Sequence, residues 1–450
     1  MAESPAPIAV NPRTERLLAA PIVPTLLRLS APGVLLVAFQ SMVSVGDTYF
    51  VGRLGTAPLA GLALVFPLLM LLQMTSAGAM GGGVSSAIAR ALGSGDAASA
   101  RRLVVHALVI AAAMGGAFTL VLLVFGPAVY RLLGGAGESL DSALRYSHVV
   151  FAGAVAVWIA NTLSSVLRGT GNMVVPALAL IGAALVHLPL SGSLTLGLGP
   201  MPRLGIAGAG IAYVTTFSLA GLAMALVVFR PASALRPRRG DFRLERRLFR
   251  EILRVGGISV LSSFQTVLTA VVLTGFVGRH GTAALAGYGV GLRLELLQIP
   301  LVFAVGQAMV VLVGTHVGAQ RPARAKRIAW VGGALASCIS LAIGITVSLV
   351  PLAWVGLFSA DPAVLDSGSR YLRTVAPFYP LLAVGIALYF AAQGAGRVLW
   401  PVLAGTARLV LVIAGGLLFA SLQGIFAVIA AAMAAFGLLT ILFVARADWT

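Results

Sequence analysis

Residues 50–61 read FVGRLGTAPLAG, and residues 276–287 read FVGRHGTAALAG. Only Leu54/His280 and Pro58/Ala284 differ. A match of this length inside one chain identifies an internal duplication, and the register continues outward. Gly93 followed by Arg101 and Arg102 lines up with Gly318 followed by Lys326 and Arg327. The Gly169-Thr170-Gly171-Asn172 turn ahead of Pro176 lines up with Gln393-Gly394-Ala395-Gly396-Arg397 ahead of Pro401. The offset is 225 or 226 residues throughout. Just upstream of the matched stretch the copies diverge in one informative way: Asp47 has Leu273 as its counterpart. A carboxylate in an apolar segment, present in one copy only, is where chemistry is to be sought.

The composition fixes the medium. Of 450 residues 59% are hydrophobic and 10% charged, with a mean hydropathy of +1.01. A soluble domain carries about a quarter charged residues. Apolar runs long enough to cross a bilayer recur from residue 26 onward, so the chain is an all-α polytopic membrane protein. The runs predict twelve spans: 25–48, 58–82, 103–124, 147–167, 174–194, 205–229, 255–275, 289–313, 328–350, 375–395, 401–420 and 425–444. The second and eighth continue into residues 84–92 and 315–318, which predicts helices that project from the membrane.

The net charge of +18 is not a nucleic-acid signature here, because the arginines fall in short loops between apolar runs. With the N-terminus inside, the inner segments collect Arg13, Arg16, Arg28, Arg90, Arg101, Arg102, the arginines of residues 230–254, and Arg446. The outer segments keep only scattered ones, such as Arg53, Arg131, Arg279 and Arg370. That asymmetry predicts both termini on the cytoplasmic side. The organisation that follows is a cytoplasmic segment 1–24, a first lobe 25–229, a basic linker 230–254 and a second lobe 255–450. Residues 1–24 lack the pattern of a cleaved signal peptide. The basic linker reads as a topology determinant rather than a lipid-binding patch. Each lobe holds an even number of spans, so the repeat is parallel, about an axis along the membrane normal, with a seam at the midplane.

Few polar groups lie within the spans. Asp47 shares a helical face with Gln40 and Ser44. It reads either as an ion or proton site or as a carboxylate near the outer end that reaches water or pairs with Arg53. Glu295 is the other carboxylate in a predicted span. It reads either as the partner of Arg408 in a structural ion pair or as a substrate-facing acid. His187 is a core histidine or, if it meets Asp47, a partner in proton exchange. His106, His148 and His316 lie near span ends and carry no functional expectation. Asn161 needs a hydrogen-bond partner wherever it lies. Ser262, Thr266 and Thr269, with Gln265 beside them, form a polar stripe that either joins helices or lines a cavity. The single cysteine, Cys338, is expected as a small core residue, and no Cys/His spacing suits a metal. No phosphate loop, HExxH or GxSxG motif is present, so neither a nucleotide site nor a hydrolase is indicated, and no cofactor is expected.

The two six-span repeats, the Asp47-Thr48-x-Phe-Val-Gly-Arg-x-Gly motif after the first span and the paired glycine turns after the fourth and tenth resemble the multidrug and toxic compound extrusion (MATE) family. The resemblance covers residues 26–444 and leans toward the DinF-like branch. It implies two six-helix lobes around a central cavity, and alternating access driven by inward H+ or Na+. The implied substrates are amphipathic organic cations. On that resemblance Asp47 is the coupling residue, with Gln40, Asn161, His187, Ser191 and Tyr213 around it and Pro32 as a hinge. Glu295, Gln265, Ser262, Thr266 and Thr269 fall to the substrate cavity. Two positions depart from the branch pattern. An Asn-x-x-x-Asp on the fifth helix is His187-Leu188-Pro189-Leu190-Ser191 here, and Tyr213 stands where a sixth-helix threonine is expected. The acids that the NorM-like branch carries on helices seven and ten are absent. One carboxylate beside a histidine is a poor cage for Na+, which favours H+.

The expectation is therefore a monomeric, multi-pass antiporter of a bacterial cell membrane, exchanging a small organic cation for H+ or Na+ amid membrane lipid, with no nucleic-acid partner. A flippase for a lipid-linked precursor, of the same superfamily, is the alternative. A membrane-embedded enzyme and a channel fit less well, since no clustered catalytic set and no axial ring of acids is legible.

Overall fold

The computed structural model describes residues 12–449. The first eleven residues of the expected N-terminal segment lie outside the described residues. The remainder of that segment is not a plain tail: it forms a short helix, α1 (Pro12–Ala19). The first half then runs α2 (Ile22–Gly52), α3 (Thr56–Gln73), a π-helical turn Met74–Met80, α4 (Gly81–Gly93), α5 (Ala97–Leu132), α6 (Gly137–Ala152), α7 (Ala154–Gly169), α8 (Val174–Leu196) and α9 (Ile206–Phe229). A 3-10 turn, Arg239–Phe242, lies in the linker. The second half follows as α10 (Arg246–Gly278), α11 (Thr282–Gly318), α12 (Pro322–Leu349), α13 (Pro351–Val355), α14 (Pro362–Val375), a 3-10 turn Ala376–Phe378, α15 (Tyr379–Gly394), α16 (Leu399–Leu418) and α17 (Leu422–Arg446).

Among the described residues eleven helices are long and apolar enough to cross a membrane, and the pair α6 and α7, bent by 51°, supplies a twelfth span. The all-helical, duplicated architecture expected from the sequence is the one observed. The repeat extends to its irregularities. The fourth span breaks around Gly153, between α6 and α7, and the tenth breaks at Ala376–Phe378, between α14 and α15. The duplicated FVGR-x-G motif also has a physical reason. Gly55 and Gly281 cap the N-termini of α3 and α11 with φ of 123° and 95°. That region is strained for residues with a Cβ, so both copies keep glycine. The helical continuations are present: α11 is continuous to Gly318, and α4 carries the second span's helix to Gly93.

One apolar core belongs to the first half and includes Val51, Val84, Leu103, Trp158 and Val166, joined by Leu248 and Ile252 from the start of α10. Two others belong mainly to the second half. Large side chains such as Leu120, Phe125, Leu178, Leu222, Phe264 and Leu438 stay exposed, as a hydrocarbon-facing surface requires. Cys338 is exposed on α12, not packed in a core as expected. Lipid solvates a small apolar side chain as well as protein does, so an apolar span does not reveal its inward face.

α2 belongs to both halves. Leu26 packs in a second-half core, whereas Val51 packs in the first-half core. Pro32 lies between them in a helix that is continuous around it, and it leaves the ladder one N–H short. α1 docks on the second half, where Arg324 Nη2 donates to the Ala20 carbonyl at 2.7 Å.

Candidate functional site

The first site is assembled where α2 meets α8. A Cβ on Gly46 would overlap the Leu188 side chain, and one on Gly192 would lie 2.9 Å from Phe50 Cζ. These glycines let the helices approach closely enough for the short Asp47 side chain to cross. His187 Nε2 lies 2.9 Å from Asp47 Oδ1 and 3.0 Å from Oδ2. Ser191 donates its hydroxyl to Oδ1 at 2.6 Å. His187 and Ser191 are four residues apart on α8 and so share a face. All three side chains belong to buried residues, with Asp47 9% exposed.

Proton bookkeeping constrains this contact. A bare imidazole nitrogen facing a bare carboxylate at 2.9 Å would set acceptor against acceptor, so a proton lies between the two groups. The far ring nitrogen, Nδ1, is 3.4 Å from Thr216 Oγ1 of α9. The Thr216 hydroxyl hydrogen is directed at helix carbonyls, with Ala212 O at 2.8 Å. Its oxygen is then left to accept from Nδ1–H. With Nδ1–H held by Thr216, the shared proton can sit on either side of the contact, as a carboxylic acid facing a neutral imidazole or as a carboxylate facing an imidazolium, at the same net charge. The alternative of an Asp47–Arg53 pair does not form. Arg53 instead donates to the Tyr49 hydroxyl at 2.7 Å and lies over the Tyr49 ring.

The structure redistributes the other expected members. Gln40 and Ser44 are exposed and lie outside this hydrogen-bonded group. Sharing a helical face is not sharing a packed environment: α2 is buried at Asp47 but exposed at Gln40 and Ser44. Helix α9 does supply a threonine to the site, Thr216, three residues beyond Tyr213. Tyr213 belongs to a second chain of polar groups. Gln73 Nε2 donates to Tyr213 Oη at 2.5 Å, and Asn161 Nδ2 donates to Gln73 Oε1 at 3.0 Å and to Ser76 Oγ at 2.8 Å. Arg168 extends it, donating to Ser165 Oγ at 2.8 Å. Gln73 was missed by the sequence reading. Its signal was the same as that of Asn161: a lone amide inside an apolar run, which must find partners.

This second chain ends on the π-helical turn Met74–Met80, which also meets the other half. Gln393 of α15 donates through Nε2 to the Gly78 and Ala79 carbonyls, 3.3 Å each, and lies 3.2 Å from Ser259 Oγ. Its amide fills the space a side chain on Gly82 would need. Such π-turns expose backbone carbonyls that a regular helix would occupy, and they recur at functional sites. The close approaches between halves gather at the end of the molecule that carries the basic loops. A Cβ on Gly318 would overlap the Arg90 carbonyl, and one on Gly93 the Thr315 carbonyl. There Arg90 also donates to the Gly394 carbonyl at 3.1 Å.

In the second half, Glu295 on α11 is buried and accepts from the Tyr371 hydroxyl of α14. The expected ion pair with Arg408 does not form among the described residues. A Cβ on Gly291 would overlap the Tyr371 ring, so this glycine admits the tyrosine against α11 one turn ahead of Glu295, and the phenol reaches the carboxylate first. Arg408 instead lies with its guanidinium 6.0 Å from the Phe436 ring centroid, and its Nε has no partner among the described residues. The expected stripe on α10 divides. Gln265 joins α10 to α16 by donating to Thr406 Oγ1 at 2.7 Å. Thr269 and Thr266 satisfy their hydroxyls on their own helix, at the Gln265 and Ser262 carbonyls, and Thr266 is exposed. Among the remaining histidines, His106 accepts from the Glu245 N–H at 2.8 Å.

Known proteins carry the same fold. A Pyrococcus furiosus transporter of the MOP superfamily superposes with a TM-score of 0.89 over 97% of this chain and 98% of that one, at 24% identity. A Shewanella oneidensis FAD transporter is 28% identical over 400 residues, 88% of this chain and 87% of that protein. A probable multidrug resistance protein NorM of Thermotoga maritima is 23% identical over 386 residues, 84% of this chain and 81% of that one. The MatE family profile matches residues 32–191 and 259–418, once in each half. The two matched blocks repeat the duplication read from the sequence, and with the shared fold they show that this chain belongs to the MATE family of multi-pass membrane transporters and is not an enzyme.

Proposed function

We propose that the protein is a proton-coupled antiporter of the DinF-like branch that exports amphipathic organic cations across a bacterial cell membrane. The observation that carries this reading is the buried Asp47–His187 contact at 2.9 Å, which needs a proton between its two groups. Both carboxylate oxygens face the histidine, and Ser191 takes a further position on Oδ1. That arrangement leaves a proton better served than Na+, which prefers several free oxygen ligands. Protonation removes a buried charge and so changes which packing of α2 against α8 is favoured. α2 passes that change to the second half through Pro32, because its first turns are buried there. In this reading the halves are closed at the cytoplasmic end, where the basic loops lie, and the conformation described is outward-facing.

The test is transport in proteoliposomes under an imposed pH or Na+ gradient, with a panel of organic cations. Uptake driven by Na+ alone would overturn the proton assignment. The likeness to a Shewanella FAD transporter motivates a second reading, export of an anionic flavin nucleotide. Arg408, whose Nε has no partner among the described residues, is a group that could receive it. Including FAD in the panel separates the two.

Orientation gives a further expectation. Cysteines placed at Arg239 and Arg446 should be shielded from a membrane-impermeant reagent in intact cells, and those at Arg131 and Arg370 labelled. Labelling of positions 239 and 131 from the same side would contradict the topology. Glu295→Gln keeps an acceptor for the Tyr371 hydroxyl and should leave pH-gradient coupling intact while changing the ranking of transported substrates. An unchanged ranking across the panel would assign Glu295 to packing alone.

A further inference from the structure

The linker between the halves, expected to be a topology determinant, is folded. Leu235 is only 3% exposed and packs in the first-half core. Asp241 is buried on the 3-10 turn, where it accepts from the Arg238 backbone N–H at 2.8 Å and pairs with Arg101 Nε at 3.1 Å. Arg102 pairs with Glu245. Backbone bonds from Ser233 N–H to Arg230 O and from Arg236 N–H to Ser233 O, 3.0 and 3.2 Å, set the turns between.

Docked in this way on the start of α5, the linker borders an open cavity of about 520 Å3 lined in part by Arg101, Arg236, Arg238 and Arg239. No carboxylate lines it. The nearby acid, Asp241, is already committed to Arg101 and to the Arg238 backbone. Arg236, Arg238 and Arg239 have exposed side chains and make no ion pair among the described residues. Guanidinium groups held around one cavity repel each other until an anion enters, and their planar donors suit phosphate oxygens.

A second feature identifies the source of that phosphate. Phe242 and Leu244, which follow Arg239 closely in the chain, are 60% and 58% exposed, and Phe229 at the end of α9 is 39% exposed. Exposed apolar side chains beside arginines at the end of a spanning helix suit the boundary between headgroups and acyl chains. A soluble phosphate ester would leave them in water.

We propose that this cavity binds the phosphate-bearing headgroup of an anionic phospholipid, with Phe242 and Leu244 against its acyl chains. The bound lipid fastens the linker to α5 at the covalent connection between the two halves.

The test compares two triple variants of the full chain that lose the same charge from the same linker. Arg236→Gln/Arg238→Gln/Arg239→Gln removes three of the four arginines that line the cavity, whereas Arg243→Gln/Arg246→Gln/Arg250→Gln changes none of them. Native mass spectrometry counts retained phosphatidylglycerol, with phosphatidylcholine as the neutral control. The cavity variant should lose retained phosphatidylglycerol by on the order of a hundredfold, at about 1 kcal/mol for each of three arginines, while the other variant behaves as wild type. Equal loss in both variants would show diffuse attraction and overturn the site. Displacement of the lipid by millimolar glycerol phosphate or inorganic phosphate would overturn the lipid assignment in favour of a free phosphate ester. Equal retention of phosphatidylcholine would overturn the requirement for anionic charge.

Discussion

Asp47→Asn is expected to reduce pH-gradient-driven export to the level of protein-free liposomes while leaving the protein folded and inserted. Asparagine is isosteric with aspartate, and its amide can replace both contacts. The oxygen accepts from Ser191, and the Nδ2 group donates to His187 Nε2. What the substitution removes is the site's ability to change charge. A transporter driven by a proton gradient must bind a proton in one conformation and release it in the other, and a permanently neutral amide does neither. Asp47→Glu should retain partial activity, since a longer carboxylate can still titrate but must fit between α2 and α8. His187→Ala should be intermediate, because the carboxylate keeps Ser191 but loses the group that shares its proton. Wild-type export by the Asp47→Asn variant, measured against a pH gradient in proteoliposomes, would place coupling elsewhere and make Glu295 the first residue to test.

The second large effect is expected from Gly318→Leu. A Cβ at this position overlaps the Arg90 backbone carbonyl of the opposite half. The obstacle is backbone, so no rotamer change relieves it. Overpacking of this kind costs about 1–3 kcal/mol, roughly a fivefold to 150-fold shift between two states. The closed arrangement at the basic end should therefore lose population, and export should fall although no ion-site residue has changed. A cysteine pair at Ala89 and Gly314 reports the closure directly, because a Cβ on Gly314 lies 3.0 Å from the Ala89 Cβ. With Cys338 replaced by serine, this pair should cross-link readily in the otherwise native chain and poorly with Gly318→Leu. Gly116→Leu is the matched control, since a Cβ there meets nothing within 4 Å. Cross-linking that is equal with and without Gly318→Leu would show that the halves seal without this contact.

Much of this protein was legible in the sequence. The bilayer requires long apolar helices with internally satisfied backbones, so spans follow from hydropathy alone. The duplication followed from residues 50–61 and 276–287, and the positive φ at Gly55 and Gly281 shows why that motif resisted divergence. Asp47 stood out because a charge in hydrocarbon is costly, and His187 because a lone histidine in an apolar span can share a proton with it, whereas Ser191 entered only through the family resemblance. Tertiary structure decided the rest. In a chain this apolar, hydropathy does not distinguish a lipid-facing side chain from a packed one, so the exposure of Gln40 and Cys338 was not readable. Partners depend on which helices touch and at what height. Glu295 therefore meets Tyr371 rather than Arg408, and Thr216 rather than Tyr213 faces His187. The π-helical turn and the folded linker cavity are likewise tertiary outcomes: the first is held between Asn161 and Gln393, the second by Leu235 and Asp241. Local sequence sets where a helix can form and which residues share a face. Only packing between helices brings a carboxylate to within 2.9 Å of a histidine 140 residues away.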